Sequence, residues 1–273
     1  MRRLIALACL IASVCGCAST NALGDRIPEH ELLALSSAAL GETRSISVHV
    51  PPGYEDGTDS YPVLYMPDGG IDEDFPHIVN TVTALVEAGA IRPVIVVGIE
   101  NTDRHRDLTP ASSTQGDAQY APLSDGAADF RAFLSEELIP QIEAAYRTDG
   151  RRAIVGESLA GLFIMDTLFR EPDLFDRYVA VDPSLWWDNG RLVEEAQARL
   201  PELSGHGTRL WFTASDAQDI YTHTDALSAI MKVYAPADLD WTYAPNPEEH
   251  HWTIFRASEV EALGTMLWPP EAP

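Results

Sequence analysis

The chain has 273 residues, 45% of them hydrophobic, and its 18 basic and 42 acidic side chains leave a net charge of −24. That length and apolar content suit one large buried core, while the charge excludes attraction to nucleic acid or anionic lipid headgroups. Only three cysteines occur, Cys9, Cys15 and Cys17, so the chain beyond them has no disulfide, thiolate metal site or cysteine nucleophile.

Taken in chain order, the first element is a leader. Arg2 and Arg3 precede an apolar stretch, Leu4 to Val14, that is too short to span a bilayer, and a small residue, Gly16, precedes Cys17. This is the pattern of a secretory signal over residues 1–16. The ending Val14-Cys15-Gly16-Cys17 resembles the lipobox of bacterial lipoproteins. The resemblance implies cleavage before Cys17 and lipid attachment to its thiol, so that the domain faces the periplasm on a membrane anchor. Ala18 and Ser19 follow with no aspartate, which in such lipoproteins is compatible with the outer membrane. Residues 17–30 are polar and small and read as a tether, leaving 31–273 as the domain.

Leu32–Leu40 and the strictly alternating Ser45-Ile46-Ser47-Val48-His49-Val50 read as an edge hairpin. Val63 to Met66 is a short strand that runs into Pro67-Asp68-Gly69-Gly70. Helical spacing follows over 78–90. The run Pro93 to Ile99 is β-branched throughout, as in buried parallel strands. Phe130, Phe133, Leu134, Leu138, Ile139, Ile142 and Tyr146 mark one face of a long helix over 127–146. Strands at 152–155, 178–181, 209–213 and 240–243 then alternate with helices reaching about 170 and lying near 190–199, 223–234 and 256–267. This rhythm implies an α/β fold with a mostly parallel central sheet and helices on both faces. Chemistry in such a sheet sits at the carboxyl ends of the strands.

Gly156-Glu157-Ser158-Leu159-Ala160-Gly161 lies between a strand and a helix, the context in which a G-x-S-x-G-like motif makes a nucleophile elbow. Ala160 stands where the second glycine is usual. Ser158 then needs a base, and the base needs an acid. In this fold the chain order is serine, acid, histidine. His251 is preferred as the base, with His250 as the alternative, because both follow the last strand. Asp216, just after strand 209–213, is preferred as the acid, with Asp219 and Asp182 as rivals. The backbone N–H of Leu159, with that of Gly69 or Gly70, supplies an oxyanion hole.

GESLAG, YPVLYMPDGG, the run Asn101 to Pro110, and Asp182-Pro183-Ser184-Leu185-Trp186-Trp187 together resemble the Putative esterase family of α/β hydrolases. That family includes esterase D, siderophore trilactone esterases, feruloyl and acetylxylan esterases, and mycolyltransferases. The resemblance runs from about Leu32 to Leu267 and implies the α/β-hydrolase fold. The family's histidine usually precedes a small residue and then Ser or Thr; here a bulky Trp252 intervenes. Arg104 and Arg106 are expected beside the cleft as substrate contacts, and Trp186 and Trp187 as walls of its pocket.

The resulting expectation is a serine esterase acting on a small-molecule ester, siderophore or aromatic esters first among them, through an acyl-enzyme. It needs no cofactor, and no His/Asp spacing points to a metal. The alternatives are acyl transfer on the same scaffold and a non-catalytic binding lipoprotein.

Overall fold

Strands buried along their whole length must lie inside a sheet covered on both faces. In the computed structural model, which describes residues 19–270, Tyr61–Pro67 (β3) and Ile95–Ile99 (β4) are buried at every position. The other strands are Glu31–Ser37 (β1), Glu42–His49 (β2), Thr148–Glu157 (β5), Arg177–Val181 (β6), Arg209–Phe212 (β7) and Asp240–Tyr243 (β8). They form one eight-stranded sheet in the order β1-β2-β4-β3-β5-β6-β7-β8. The β1–β2 and β2–β4 pairs are antiparallel, and every other pair is parallel.

The helices are Phe75–Glu87 (α1), Arg104–Asp107 (α2), Gly126–Ala132 (α3), Ile139–Ala145 (α4), Leu159–Arg170 (α5), Trp187–Arg199 (α6), Gln218–Tyr234 (α7) and Ile254–Met266 (α8). One core layer joins Phe75 and Val79 of α1 to Trp211 and to Phe255 and Leu263 of α8. The other joins Phe130, Ile142 and Phe163 to the opposite face of the sheet. The single helix expected over 127–146 is present but not uniform, because Phe133–Leu138 winds as a π segment between α3 and α4. Pro140, just beyond it, cannot donate a backbone N–H, which favours such a local change of pitch.

The stretch expected as a tether is docked over its described part. Asn21 Oδ1 accepts from the N–H groups of Leu23 and Asp25 at 3.0 and 2.8 Å, closing a turn. Asp25 pairs with Arg256 of α8, and Arg26 O accepts from Asn80 of α1. A polar segment reads as a linker from composition, yet a local turn, one ion pair and one side-chain hydrogen bond hold this one. The leader and Cys17 lie outside the described residues.

Every loop flagged for chemistry leaves the carboxyl end of a strand in this sheet. The turn after β3 approaches β4 so closely that glycine is required on both sides. A Cβ on Gly98 would lie 2.3 Å from Gly69 O and 2.5 Å from the Phe75 ring. Gly98→Ala is therefore expected to cost about 2–3 kcal/mol, the range for forced overpacking, seen as a lower urea midpoint at unchanged slope. An unaltered midpoint would mean that the turn yields freely.

Candidate active site

The nucleophile elbow is built from small residues under compression. Ser158 has φ 61° and ψ −117°, a strained conformation for a residue with a Cβ. Its neighbours explain how the strain is held. A Cβ on Gly156 would meet Ala160 Cβ at 2.6 Å, and one on Gly161 would meet Pro183 Cα at 2.9 Å. Ser158 N–H donates to Val181 O, and Ser158 O accepts from the N–H groups of Ser184 and Leu162. Strand β5, helix α5 and the turn after β6 are thus locked around one serine.

The Ser158 hydroxyl lies 3.1 Å from His251 Nε2. His251 Nδ1 lies 2.5 Å from Asp182 Oδ2, so the imidazole bridges a hydroxyl and a carboxylate. An imidazole beside a carboxylate keeps its proton on the nitrogen facing it, here Nδ1, which leaves Nε2 free to accept from serine. Asp182 is wholly buried and has φ 45°. Its carboxylate also accepts from Ser215 N–H at 2.6 Å and from Ser215 Oγ–H at 2.8 Å. Ser184, two residues on, is buried and places its hydroxyl 3.3 Å from Ser158 Oγ.

The preferred acid is thereby corrected. Asp216 does not reach His251. Its Oδ2 sits 2.6 Å from Nδ1 of the neighbouring His250, and both side chains are about half exposed. Asp219 lies in the first turn of α7. The strand ends decide the matter, since Asp182 leaves β6 within hydrogen-bonding reach of His251, whereas Asp216 is held to the same loop two residues before His251 by its N–H bond to Glu249 O. Ser215 carries no sequence signal at all, and only its position between two strand ends makes it a partner of Asp182.

The oxyanion turn is also partly corrected. Gly69 N–H donates to Ile99 O at 2.9 Å, which continues the β3–β4 ladder and commits that donor. Gly70 N–H donates to Glu73 Oε2 at 2.8 Å. Leu159 N–H is among the first amides of α5, which have no partner within a helix. Of the three expected donors it is the one left unengaged.

The two arginines are internally paired. Arg104 grips Asp68 through Nε and a terminal nitrogen at 2.7 and 2.8 Å, and reaches Glu157 O at 3.3 Å. Arg106 pairs with Glu42 and Asp107. The carboxylates come from the turn after β3 (Asp68), from β2 (Glu42) and from the loop itself (Asp107), so both guanidiniums expected as substrate contacts are already paired. Trp187 is buried, with its N–H on Pro110 O, so it is core. Trp186 is only partly buried and packs edge-on against the exposed Tyr120 at 5.2 Å, and it remains a candidate wall. A cavity of about 400 Å³ between α5 and α6 contains none of Ser158, Asp182 or His251. Among the described residues no group of three metal-ligating side chains gathers at one point.

Two ionisations are shifted at this site. Hydrogen bonding to Asp182 raises His251 above its usual 6.5 in spite of burial. Burial pushes the Glu157 carboxyl up to about 8, so at neutral pH it is uncharged beside the imidazole. A base with a raised pKa loses its function as pH falls through that value, so kcat/KM is expected to have an acid limb centred above pH 6.5. The same pairing contributes stability that is complete below the unfolded value and fades as pH rises through the folded one. Asp182→Asn should move the acid limb to lower pH and reduce kcat by about 10³–10⁴-fold. Asp216→Asn should reduce it by less than about three-fold, a surface-pair effect. A rate profile for the two variants over pH 5–9 separates these outcomes, and equal losses would return Asp216 to the triad.

Comparison with known proteins gives three findings. The family model described as "Putative esterase" matches residues 37–258. The ferri-bacillibactin esterase BesA of Bacillus subtilis is 31% identical over 190 residues, covering 62% of this chain and 63% of the relative. A siderophore enterobactin esterase of Emericella nidulans is 36% identical over 126 residues, covering 41% of each chain. The matched region thus spans less than two thirds of these relatives' own lengths. Among solved structures, an IroE-like serine hydrolase from Shewanella oneidensis superposes with a TM-score of 0.79 at 30% identity, over 87% of this chain and 79% of that one.

Proposed function

Because the chain belongs to the Putative esterase family and has the α/β-hydrolase fold, we propose that it is a serine esterase whose triad is Ser158, His251 and Asp182. The observation that carries this reading is the unbroken chain of contacts from the serine hydroxyl through the imidazole to a buried carboxylate. Ser158 Oγ attacks the ester carbonyl as its proton passes to His251 Nε2. The imidazolium is stabilised by Asp182, whose charge needs no solvent because Ser215 supplies two donors. Leu159 N–H stabilises the developing oxyanion, and Gly70 N–H joins it once released from Glu73. The imidazolium then protonates the leaving alcohol. Water, deprotonated by His251, attacks the acyl-serine and frees the acid, returning the proton to Ser158. No step calls for a cofactor.

Siderophore esters, or other esters with aromatic groups, are the substrate class this reading favours. The named activities of the relatives support it, and so does the Trp186–Tyr120 pair beyond Ser184. The lipobox-like sequence ending at Cys17 supports a lipid-anchored enzyme on the periplasmic face of a membrane. Mass spectrometry of protein extracted from membranes would show a diacylglyceryl adduct on Cys17 if that placement holds.

Ser158→Ala is expected to abolish hydrolysis of short p-nitrophenyl esters and to remove labelling by a fluorophosphonate. Wild-type protein inert to both reagents would overturn the hydrolase reading. Acyl transfer is separated by adding an alcohol acceptor, since a transferase yields mainly the new ester and a hydrolase the free acid.

A further inference from the structure

Two features of the loop after β8 are left unused by the hydrolytic machinery. The first is the surplus Asp–His pair. Asp216, at the end of β7, fixes His250 rather than the catalytic imidazole. The second is what His250 does once fixed. Its ring is stacked on Trp252, with centroids 4.8 Å apart and planes inclined by 29°. Trp252 is 78% exposed, more than any other large apolar side chain among the described residues.

The loop backbone that carries these rings is hydrogen-bonded into a turn. His250 N–H donates to Thr253 Oγ1 at 3.0 Å, and His250 O accepts from the N–H groups of Thr253 and Ile254. One face of the indole is therefore backed by a held imidazole, and the outer face is open. Trp252 is also the residue next to His251, so its Cα lies about 3.8 Å from that of the base. An exposed, pre-ordered indole one residue along the chain from the base is suited to one type of contact. Offset stacking of a planar ring on its face gains both area and quadrupole attraction, with little ordering left to pay for. A saturated ring of equal size gains only part of the area.

We infer that Trp252, backed by His250 and Asp216, is a stacking platform on the rim of the crevice that selects esters carrying a planar aromatic ring. This rests on the esterase reading and adds to it a specificity-determining residue. It also gives a physical role to the bulky side chain that follows the catalytic histidine.

The test compares two methyl esters of equal length, 3-phenylpropanoate and 3-cyclohexylpropanoate. The readout is the ratio of their kcat/KM values, which does not depend on how much of each variant folds. Wild type should favour the phenyl ester. Trp252→Ala should lower the ratio about five-fold, the size of one aromatic stack, with the change carried by KM. Trp252→Phe should keep the ratio within two-fold of wild type. A ratio unchanged in Trp252→Ala would overturn the platform and leave the esterase intact. If wild type hydrolyses neither ester, the esterase reading is decided by the p-nitrophenyl ester and fluorophosphonate assays, and calorimetric binding of the two corresponding N-methyl amides decides the platform. A phenyl preference that Trp252→Ala removes supports it, and no preference overturns it.

Discussion

A carboxylate with no exposed surface must find every partner inside the protein, and Asp182 is such a group. It sits at the end of β6, and its partners come from two other places in the chain, Ser215 after β7 and His251 after β8. Three strand ends are therefore fixed relative to one another by one buried charge. Removing any partner would strand a charge in the core, which is why the arrangement is rigid before any substrate arrives.

Strain at Ser158 belongs to the same construction. A serine with positive φ persists only where its surroundings over-determine it. Here Gly156, Ala160 and Gly161 let β5, α5 and Pro183 close on it, and Pro183 follows Asp182 directly. The helices behind the site are clasped as well. His77 of α1 sits buried between Asp74 and Glu259 of α8. Against the cost of burial, those carboxylates push its pKa up to about 9, so it is charged at neutral pH. Helices α1 and α8 are thus tied by an internal ion cluster.

The surroundings of Ser158, His251 and Asp182 are set by charge and by aromatic side chains. Arg104 and Arg106 are both paired with carboxylates, and the whole chain is strongly acidic. Two aromatic pairs lie in the strand-end loops: Trp186, after β6, packs on Tyr120, and Trp252, after β8, on His250.

Periodicity and turn chemistry are local properties, and they determined much on their own. Buried strands, amphipathic helices and the glycine-flanked serine all announce themselves within a window of a dozen residues, so the parallel sheet, Ser158 and the histidine loop were legible in the sequence. The acid was not. Asp182, Asp216 and Asp219 each follow a strand or open a helix, and any could be a turn former. Which carboxylate faces Nδ1 of which imidazole depends on the stagger of β6, β7 and β8, separated by tens of residues. The same limit hid Ser215, the commitment of Gly69 N–H to Ile99 O, and the docking of residues 19–27 on α8. Sequence fixes which groups exist and which element carries them; only the tertiary structure, by setting distances across strand ends, decides which of them meet.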